Sequence, residues 1–186
     1  MGIYCLNAAR YIFQDEPVEV CAEQVFGTDE RFRSVDEMTS GVLSFPGGRL
    51  AQFTASQGAA DVSEFRVVGT RGHIRLDPAY EYAGELKETL TIDGKSRTAT
   101  VPKRDQFAPE IVYFSRCILE GADPEPSGRE GLADVRIMQA MLRSARTGTR
   151  IALSPVAQAA RPNADLEMKK PPAKKVTPVN APSPSK

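Results

Sequence analysis

The sequence is poor in the residues that build metal centres and disulfide frameworks. It contains a single histidine and three cysteines, and Cys5, Cys21 and Cys117 lie far apart without a CxxC pair. An odd number of widely spaced cysteines and a lone His73 predict neither a disulfide network nor a zinc site. We therefore expect free thiols in a reducing compartment and no metal centre.

Several motifs that identify common functions are also missing. The chain has no GxGxxG or GxxxxGK[ST] phosphate-binding loop, no GxSxG or HExxH motif and no EF-hand loop. No apolar run approaches the about 20 residues of a membrane helix, and no charged segment precedes a signal-type core. These absences predict a cytoplasmic protein, or a periplasmic one if an N-terminal region is missing from this sequence.

Charge is distributed unevenly, although the formal net charge is zero. Residues 156–186 contain six basic and two acidic residues, so this segment carries +4 and the remaining residues carry −4. A mildly acidic body argues against a nucleic-acid-binding fold. The segment 156–186 is rich in Pro, Lys and Ala, and we expect it to be a disordered, solubilising tail with no membrane role.

Residues 1–155 have the composition and patterning of one folded domain. Hydrophobic residues make up 41% of the chain and charged residues 26%, which fits a globular protein. Apolar spacing predicts a mostly buried helix over residues 3–14, which ends at Glu16-Pro17 because proline cannot continue a helix.

Runs typical of β-strands fill the middle of this domain. They are separated by turns that contain glycine, as hairpins require. The predicted pattern is one alternating strand at 18–27 and three hairpins, which pair 37–45 with 49–56, 64–70 with 73–77, and 88–93 with 96–101.

Two helices are predicted to close the domain. The first spans about Gln106–Glu120, and its apolar stripe consists of Phe107, Ile111, Phe114 and Ile118. The second begins at Ser127, which has capping-box spacing to Glu130, and ends at Gly148. Its predicted apolar stripe consists of Leu132, Val135, Met138, Leu142 and Ala145. This element order predicts an α+β fold, with an open, mainly antiparallel sheet and helices packed on one face.

Six stretches of the chain resemble, in order, the C-terminal domain of the Gfo/Idh/MocA oxidoreductases, in the glucose-fructose oxidoreductase-like branch. Together they extend over about residues 2–153. The stretches are GIYCLNAARYIF (2–13), DERFRSVDE (29–37), FPGGRLAQFTAS (45–56), VVGTRGHIRLDPAYEY (67–82), DQFAPEIVYFSRCILEG (105–121) and PEPSGREGLADVRIMQAMLRSARTG (124–148).

The resemblance implies a parent enzyme with two domains. A Rossmann domain, which this sequence does not show, would bind NAD or NADP and supply a Lys. The C-terminal domain would cover the nicotinamide, form the pocket for a sugar or polyol, and form a homo-oligomer through its open sheet face. For the isolated chain we expect no bound dinucleotide and no dehydrogenase activity.

The resemblance also implies a catalytic residue. In this branch the first helix opens with an Asp-x-Gly-x-Tyr pattern, and Gly2 and Tyr4 match its Gly and Tyr. The Asp would lie one position before Met1, so we expect the chain to begin at a domain border. The pattern assigns Tyr4 as the acid/base, activated by the Lys of the other domain. From the residues alone, the favoured interpretation of Tyr4 is a core aromatic whose hydroxyl has a partner, and only the resemblance reverses this order.

Four further residues are substrate-binding candidates: Asn7, Arg10, Asp105 and Gln106. Asn7 lies one turn after Tyr4 and either orients a sugar hydroxyl or makes a structural hydrogen bond. Arg10 either reaches substrate or cofactor, or pairs with an acid. Asp105 is first a helix N-cap and second a substrate ligand, and Gln106 follows it at the helix start.

Two classes of function follow from these patterns. The chain is either the substrate-binding and oligomerisation domain of an NAD(P)-dependent sugar or polyol oxidoreductase, or a stand-alone module without catalysis. A stand-alone module would dimerise through its sheet or bind carbohydrate, and it would need neither the Asp before Met1 nor a Rossmann domain.

Overall fold

The computed structural model describes residues 2–80, 84–157 and 160–172. The predicted disorder of residues 158–159 and 173–186 therefore stays a prediction, because these residues lie outside the described part. Two compact units share the chain, each with its own sheet. The first takes its described residues from Met1–Asp61 and Leu119–Glu167, and the second from Val62–Ile118 and Met168–Lys186.

The order of elements along the chain is the predicted one: a helix, a series of strands, then two helices. Three short 3-10 turns, Glu30–Phe32, Pro46–Gly48 and Ala164–Leu166, lie outside these elements. The elements are α1 (Gly2–Phe13), β1 (Glu19–Val25), β2 (Met38–Phe45), β3 (Arg49–Ser56), β4 (Phe65–Gly69), β5 (Gly72–Leu76), β6 (Leu86–Ile92), β7 (Lys95–Val101), α2 (Phe107–Glu120), α3 (Gly128–Thr147) and β8 (Ile151–Ala152).

The sheet of the first unit has the strand order β3-β2-β1-β8, and all its neighbours are antiparallel. The β2–β3 hairpin turns at Pro46–Gly48, where Gly47 and Gly48 have φ angles of 74° and 73°. Only glycine adopts such angles without strain, which explains why this turn reads Pro-Gly-Gly. The predicted hairpin is confirmed.

One face of this sheet and the helices α1 and α3 enclose the hydrophobic core of the first unit. The α+β prediction is thereby confirmed. The buried core residues are Leu6, Val20, Ala22, Leu43, Phe45, Ile137, Ala140 and Met141.

The prediction that α1 is mostly buried is wrong. Only Leu6 and Arg10 are buried on this helix, whereas Tyr4 is 58% exposed and Tyr11 is 44% exposed. The abundance of apolar residues suggested burial on every side. The helix instead buries one narrow face that includes a charged side chain, and it leaves its aromatic face open.

The second unit contains a sheet of order β4-β5-β6-β7, again antiparallel throughout. Both predicted hairpins in this region are confirmed, and β5 also pairs with β6. The first twelve residues of α2 belong to this unit. The predicted apolar stripe of α2, Phe107, Ile111, Phe114 and Ile118, is exposed, while Cys117 is buried.

Among the residues the structure describes, no helix is long and apolar enough to span a membrane.

Gly72 leaves no room for a side chain at the start of β5. A Cβ there would lie 1.9 Å from the backbone oxygen of Thr91 on β6. We expect Gly72→Ala to lower the free energy of unfolding of the second unit by about 1–3 kcal/mol, because the strands must move apart. Gly69→Ala is the control, since its added Cβ would meet only the Gly72 oxygen at 3.8 Å. Urea denaturation that found equal stability for the two variants would contradict this prediction.

Candidate functional site

Tyr4, the predicted catalytic residue, lies on an exposed aromatic face of α1. Tyr4, Asn7 and Tyr11 follow one another at spacings of three and four, so they share one side of the helix. All three side chains are exposed. Asn7 also makes a structural contact, because its Nδ2 donates to Asp134 Oδ2 of α3 at 3.3 Å. The assignment of Tyr4 as acid/base and of Asn7 as a substrate ligand stays a prediction.

Arg10 lies next to this face but points into the unit, with its side chain only 1% exposed. Its Nε and Nη2 donate to the two carboxylate oxygens of Glu16 at 2.9 and 2.8 Å. Nη2 also lies 2.7 Å from Glu130 Oε2, and Nη1 lies 2.7 Å from Asp134 Oδ1. A weaker bond from Nη1 reaches the backbone oxygen of Glu130 at 3.4 Å.

These contacts decide between the two predicted roles of Arg10. A guanidinium has five N–H groups, and the hydrogen bonds and ion pairs to Glu16, Glu130 and Asp134 engage all of them. Arg10 therefore pairs with acids and keeps no donor for a substrate. It joins α1, the chain segment before β1 and the first turns of α3.

The ion cluster of Arg10, Glu16, Glu130, Asp134 and Arg161 is charge-rich, and all its members except Arg161 are buried. Burial alone would lower the pKa of Arg10, but the hydrogen bonds that Arg10 donates to Glu16 and the charges of the three carboxylates raise this pKa above its ordinary value. Arg161 adds a second guanidinium, 2.9 Å from Glu16 Oε1. Three carboxylates face two guanidiniums in this cluster, and Arg10 is held in its charged form.

A small polar cavity adjoins this ion cluster. Its volume is about 20 Å³, which suits one water molecule and excludes a sugar. Glu130 Oε1 is buried here and has no hydrogen-bond partner among the described residues. The residues that line the cavity are Asn7, Arg10, Tyr11, Gln14, Glu130, Arg161 and Pro162.

Glu125, just before α3, is expected to make stability depend on pH. Burial, followed by the negative charge of Glu130, raises the pKa of Glu125 above its ordinary value. A hydrogen bond from the Ser127 backbone N–H and the positive charge of Arg161 act in the opposite direction but are weaker. The folded state therefore binds the proton more tightly than the unfolded state, so this residue costs stability at neutral pH and ceases to do so as the pH falls.

The Glu125→Gln variant removes this charge. We expect it to be more stable than the parent chain at pH 7, with the difference vanishing as the pH approaches 4. Urea denaturation at a series of pH values measures both curves, and curves that coincide at pH 7 would contradict the prediction.

Asp105 and Gln106 belong to the second unit and precede α2. Asp105 Oδ1 accepts hydrogen bonds from the backbone N–H groups of Phe107 and Ala108 at 2.9 and 3.0 Å. Asp105 is therefore the N-cap of α2, as its first interpretation predicts. Its second role as a substrate ligand, and that of the exposed Gln106, stay predictions.

Sequence reasoning missed the partners of Arg10. The spacing of Ser127 and Glu130 predicts a capping box. Ser127 Oγ accepts from the Arg129 N–H, but the Glu130 carboxylate pairs with Arg10. A signal was present, because Glu130 and Asp134 are spaced four apart and share a helix face. Arg161 lies in the predicted tail, where no sequence pattern connects it to Glu16.

Known proteins resemble this chain over most of its length. Residues 1–75 match the family model described as the GFO/IDH/MocA C-terminal domain. The chain is 32% identical over 154 residues to D-xylose 1-dehydrogenase (NADP+) from Haloarcula marismortui. The aligned region covers 82% of this chain and 42% of that protein.

Solved structures show the same fold. The aldose-aldose oxidoreductase from Caulobacter crescentus, complexed with glycerol, has a TM-score of 0.75 and 34% identity, covering 82% of this chain and 46% of that one. An oxidoreductase from Agrobacterium radiobacter, in complex with NAD+, L-tartaric acid and magnesium, shares the fold at a TM-score of 0.65 and 17% identity, covering 82% of this chain and 47% of that one. The chain spans about half the length of the relatives it matches. It therefore carries a C-terminal domain of the GFO/IDH/MocA oxidoreductase family.

Proposed function

We propose that this chain is the substrate-binding and oligomerisation domain of an NAD(P)-dependent sugar or polyol oxidoreductase, in the glucose-fructose oxidoreductase-like branch. The observation that carries the proposal is the family match from residue 1 to residue 75, which includes the whole of α1 and Tyr4. Relatives that are 32% and 34% identical are named for reactions of D-xylose and of aldoses.

The proposed role of Tyr4 follows from the chemistry of sugar oxidation. A sugar carbon loses a hydride while its hydroxyl loses a proton, and the C–O bond becomes a carbonyl. When bound, the nicotinamide accepts the hydride. In the parent enzyme Tyr4 would accept the hydroxyl proton as a phenolate, which the Lys of the other domain would stabilise. Its exposed position on the first turn of α1 leaves it accessible to a substrate. Asn7, one turn further along the same face of α1, orients a hydroxyl group of the substrate.

A domain chimera tests this function. The chain replaces the C-terminal half of the Caulobacter aldose-aldose oxidoreductase, whose own N-terminal half is retained. We expect sugar-dependent reduction or oxidation of the dinucleotide by the chimera, and none by this chain alone. A correctly folded chimera that binds the dinucleotide but turns over no aldose or polyol would contradict the proposal.

The isolated chain is expected to bind no dinucleotide. The residues that cradle a pyrophosphate, a glycine-rich loop at the start of a helix, do not occur in its sequence. Titration calorimetry with NADP and NAD measures this directly. Saturable binding of either one would place part of the cofactor site in this chain.

The open face of the first unit's sheet favours a second candidate function, that of a dimerisation module. Val42 and Leu50 are exposed on β2 and β3, on the face opposite the core. A second copy would cover these apolar side chains. Analytical ultracentrifugation should find an oligomer that Val42→Lys weakens, and a monomer at all concentrations would rule this function out. This result is independent of the activity of the chimera.

A further inference from the structure

The first unit contains a cavity of about 340 Å³ between α1, the β2–β3 hairpin and α3. This volume lies within the range of small-molecule sites. Gly2, Ile3 and Leu6 of α1 line the cavity, whereas Tyr4 and Asn7 do not. The cavity is therefore separate from the aromatic face on which the proposed function rests.

Most of the cavity wall is apolar and adaptable. Phe53 of β3 and Met138, Met141 and Leu142 of α3 supply much of this wall. Unbranched methionine side chains adjust to the shape of a guest and make favourable contacts with aromatic rings. A Cβ at Gly41 would lie 2.3 Å from Met141 Cε, so this glycine leaves the space that Met141 occupies. The wall suits a guest with an apolar, preferably aromatic, body.

The charged side chains that line the cavity are acidic. Asp36 and Glu37 line it, and no lysine, arginine or histidine of the described residues does. Asp36 is oriented by Thr39, whose hydroxyl donates to Asp36 Oδ2. Among the described residues, no side chain donates a hydrogen bond to the Glu37 carboxylate. The positive charge of Arg31 attracts the Glu37 carboxylate, but the Arg31 guanidinium forms its ion pair with Asp29, at 3.0 Å.

Two glycines leave the space in which the Glu37 carboxylate lies. A Cβ at Gly27 would lie 1.7 Å from Glu37 Oε2, and one at Gly58 would lie 1.7 Å from Glu37 Oε1. A side chain at either position would contact the carboxylate, which would then have to shift. The two glycines therefore leave the room that this carboxylate occupies.

We propose that this cavity binds a small primary ammonium ion with an apolar body of about eight heavy atoms. The ammonium group donates to the carboxylates of Glu37 and Asp36, and the body packs against Phe53 and the methionines. The N-terminal end of α1 contributes only about half a positive charge, which two carboxylates outweigh. Charge complementarity therefore selects a cation.

Three probes of nearly equal size test the proposal on the full chain. Benzylammonium, benzyl alcohol and benzoate are titrated at pH 7, and methyl signals of Met138 and Met141 are followed by NMR. We expect benzylammonium to bind with a Kd of about 1 mM, benzyl alcohol about tenfold more weakly, and benzoate more weakly still. Equal affinity for the three probes, or no shift of either methionine with benzylammonium, would overturn the proposal.

Two variants locate the charge. Glu37→Gln keeps the shape and is expected to reduce benzylammonium affinity about tenfold, to that of the alcohol, without changing alcohol binding. Glu23→Gln, an exposed carboxylate of β1 outside the cavity, is the matched control and should change neither affinity. If Glu37→Gln does not fold, as judged by thermal unfolding, Asp36→Asn takes its place. Unchanged ammonium binding in the folded variant would overturn the proposal.

Discussion

Arg10→Met is expected to lower the free energy of unfolding of the first unit by about 3–5 kcal/mol. The substitution keeps a long apolar stem but removes the charge that three buried carboxylates share. Domains are typically stable by only about 5–15 kcal/mol, so the variant should be close to unfolding at room temperature. Urea denaturation followed by far-UV circular dichroism measures the loss.

A surface ion pair provides the control for Arg10. Arg31 pairs with Asp29 at 3.0 Å, but their side chains are 70% and 46% exposed. Arg31→Met should therefore cost only about 0–1 kcal/mol, because water already solvates both charges. A loss for Arg10→Met as small as that for Arg31→Met would contradict the buried role of Arg10.

A double variant separates lost charge from lost packing. Without Arg10, Glu16 still has its ion pair with Arg161 at 2.9 Å, and Asp134 still accepts a hydrogen bond from Asn7 at 3.3 Å. Glu130 loses the partner of its Oε2, while its Oε1 has none among the described residues. Neutralising it in Arg10→Met/Glu130→Gln should recover at least about 1 kcal/mol. A double variant no more stable than the single one would assign the loss to packing.

Tyr4→Phe, made in the active chimera, is expected to lower the turnover rate about 10²–10⁴-fold. The phenyl ring keeps the shape of the side chain but has no hydroxyl to accept or return the proton. The Michaelis constant for the sugar should change little, and the part of the pH–rate profile that reports the base should disappear. Steady-state kinetics over a range of pH values measures both effects.

Tyr11→Phe is the matched control for Tyr4. Tyr11 lies two turns further along the same exposed face of α1 and is 44% exposed. Its variant should keep the activity of the chimera, since the family pattern assigns no proton transfer to this position. Equal losses for the two variants would indicate a general effect on α1 rather than acid/base chemistry at Tyr4.

Local chemistry explains which parts of the fold were predictable. The three hairpins follow from turn residues and alternating strands that lie next to each other in sequence, and the structure has all three. The end of α3 followed from Gly148, which adopts φ 64° and donates its N–H to Ser144 O. The split of the strands into two sheets was not predictable, because no sequence-local signal determines which hairpins share a sheet.

The buried face of α3 shows why sequence reasoning failed elsewhere. The predicted apolar stripe was wrong at three positions, since Leu132, Val135 and Leu142 are each 43% exposed. Its other two members, Met138 and Ala145, pack against the core. The residues actually buried are Glu130, Ala133, Asp134, Ile137, Ala140, Met141 and Ser144. Three of these are polar, and their burial depends on distant partners: Arg10 for the two acids and the Ala22 N–H for the Ser144 hydroxyl, which also donates to the nearby Thr149 oxygen. A search for apolar periodicity cannot see such partners.

The first unit is assembled from two stretches of chain that are far apart in sequence. Its strand β8 pairs with β1 across more than a hundred intervening residues, and α3 completes its core. The strands of the second sheet, by contrast, are consecutive hairpins between Phe65 and Val101. Neighbouring segments pair quickly, whereas distant ones must first close a long loop. During synthesis on the ribosome, all strands of the second sheet have been made before α3 and β8. The strands β1, β2 and β3 are synthesised earlier, but they cannot complete their unit until α3 and β8 follow, so we expect the first unit to finish folding last.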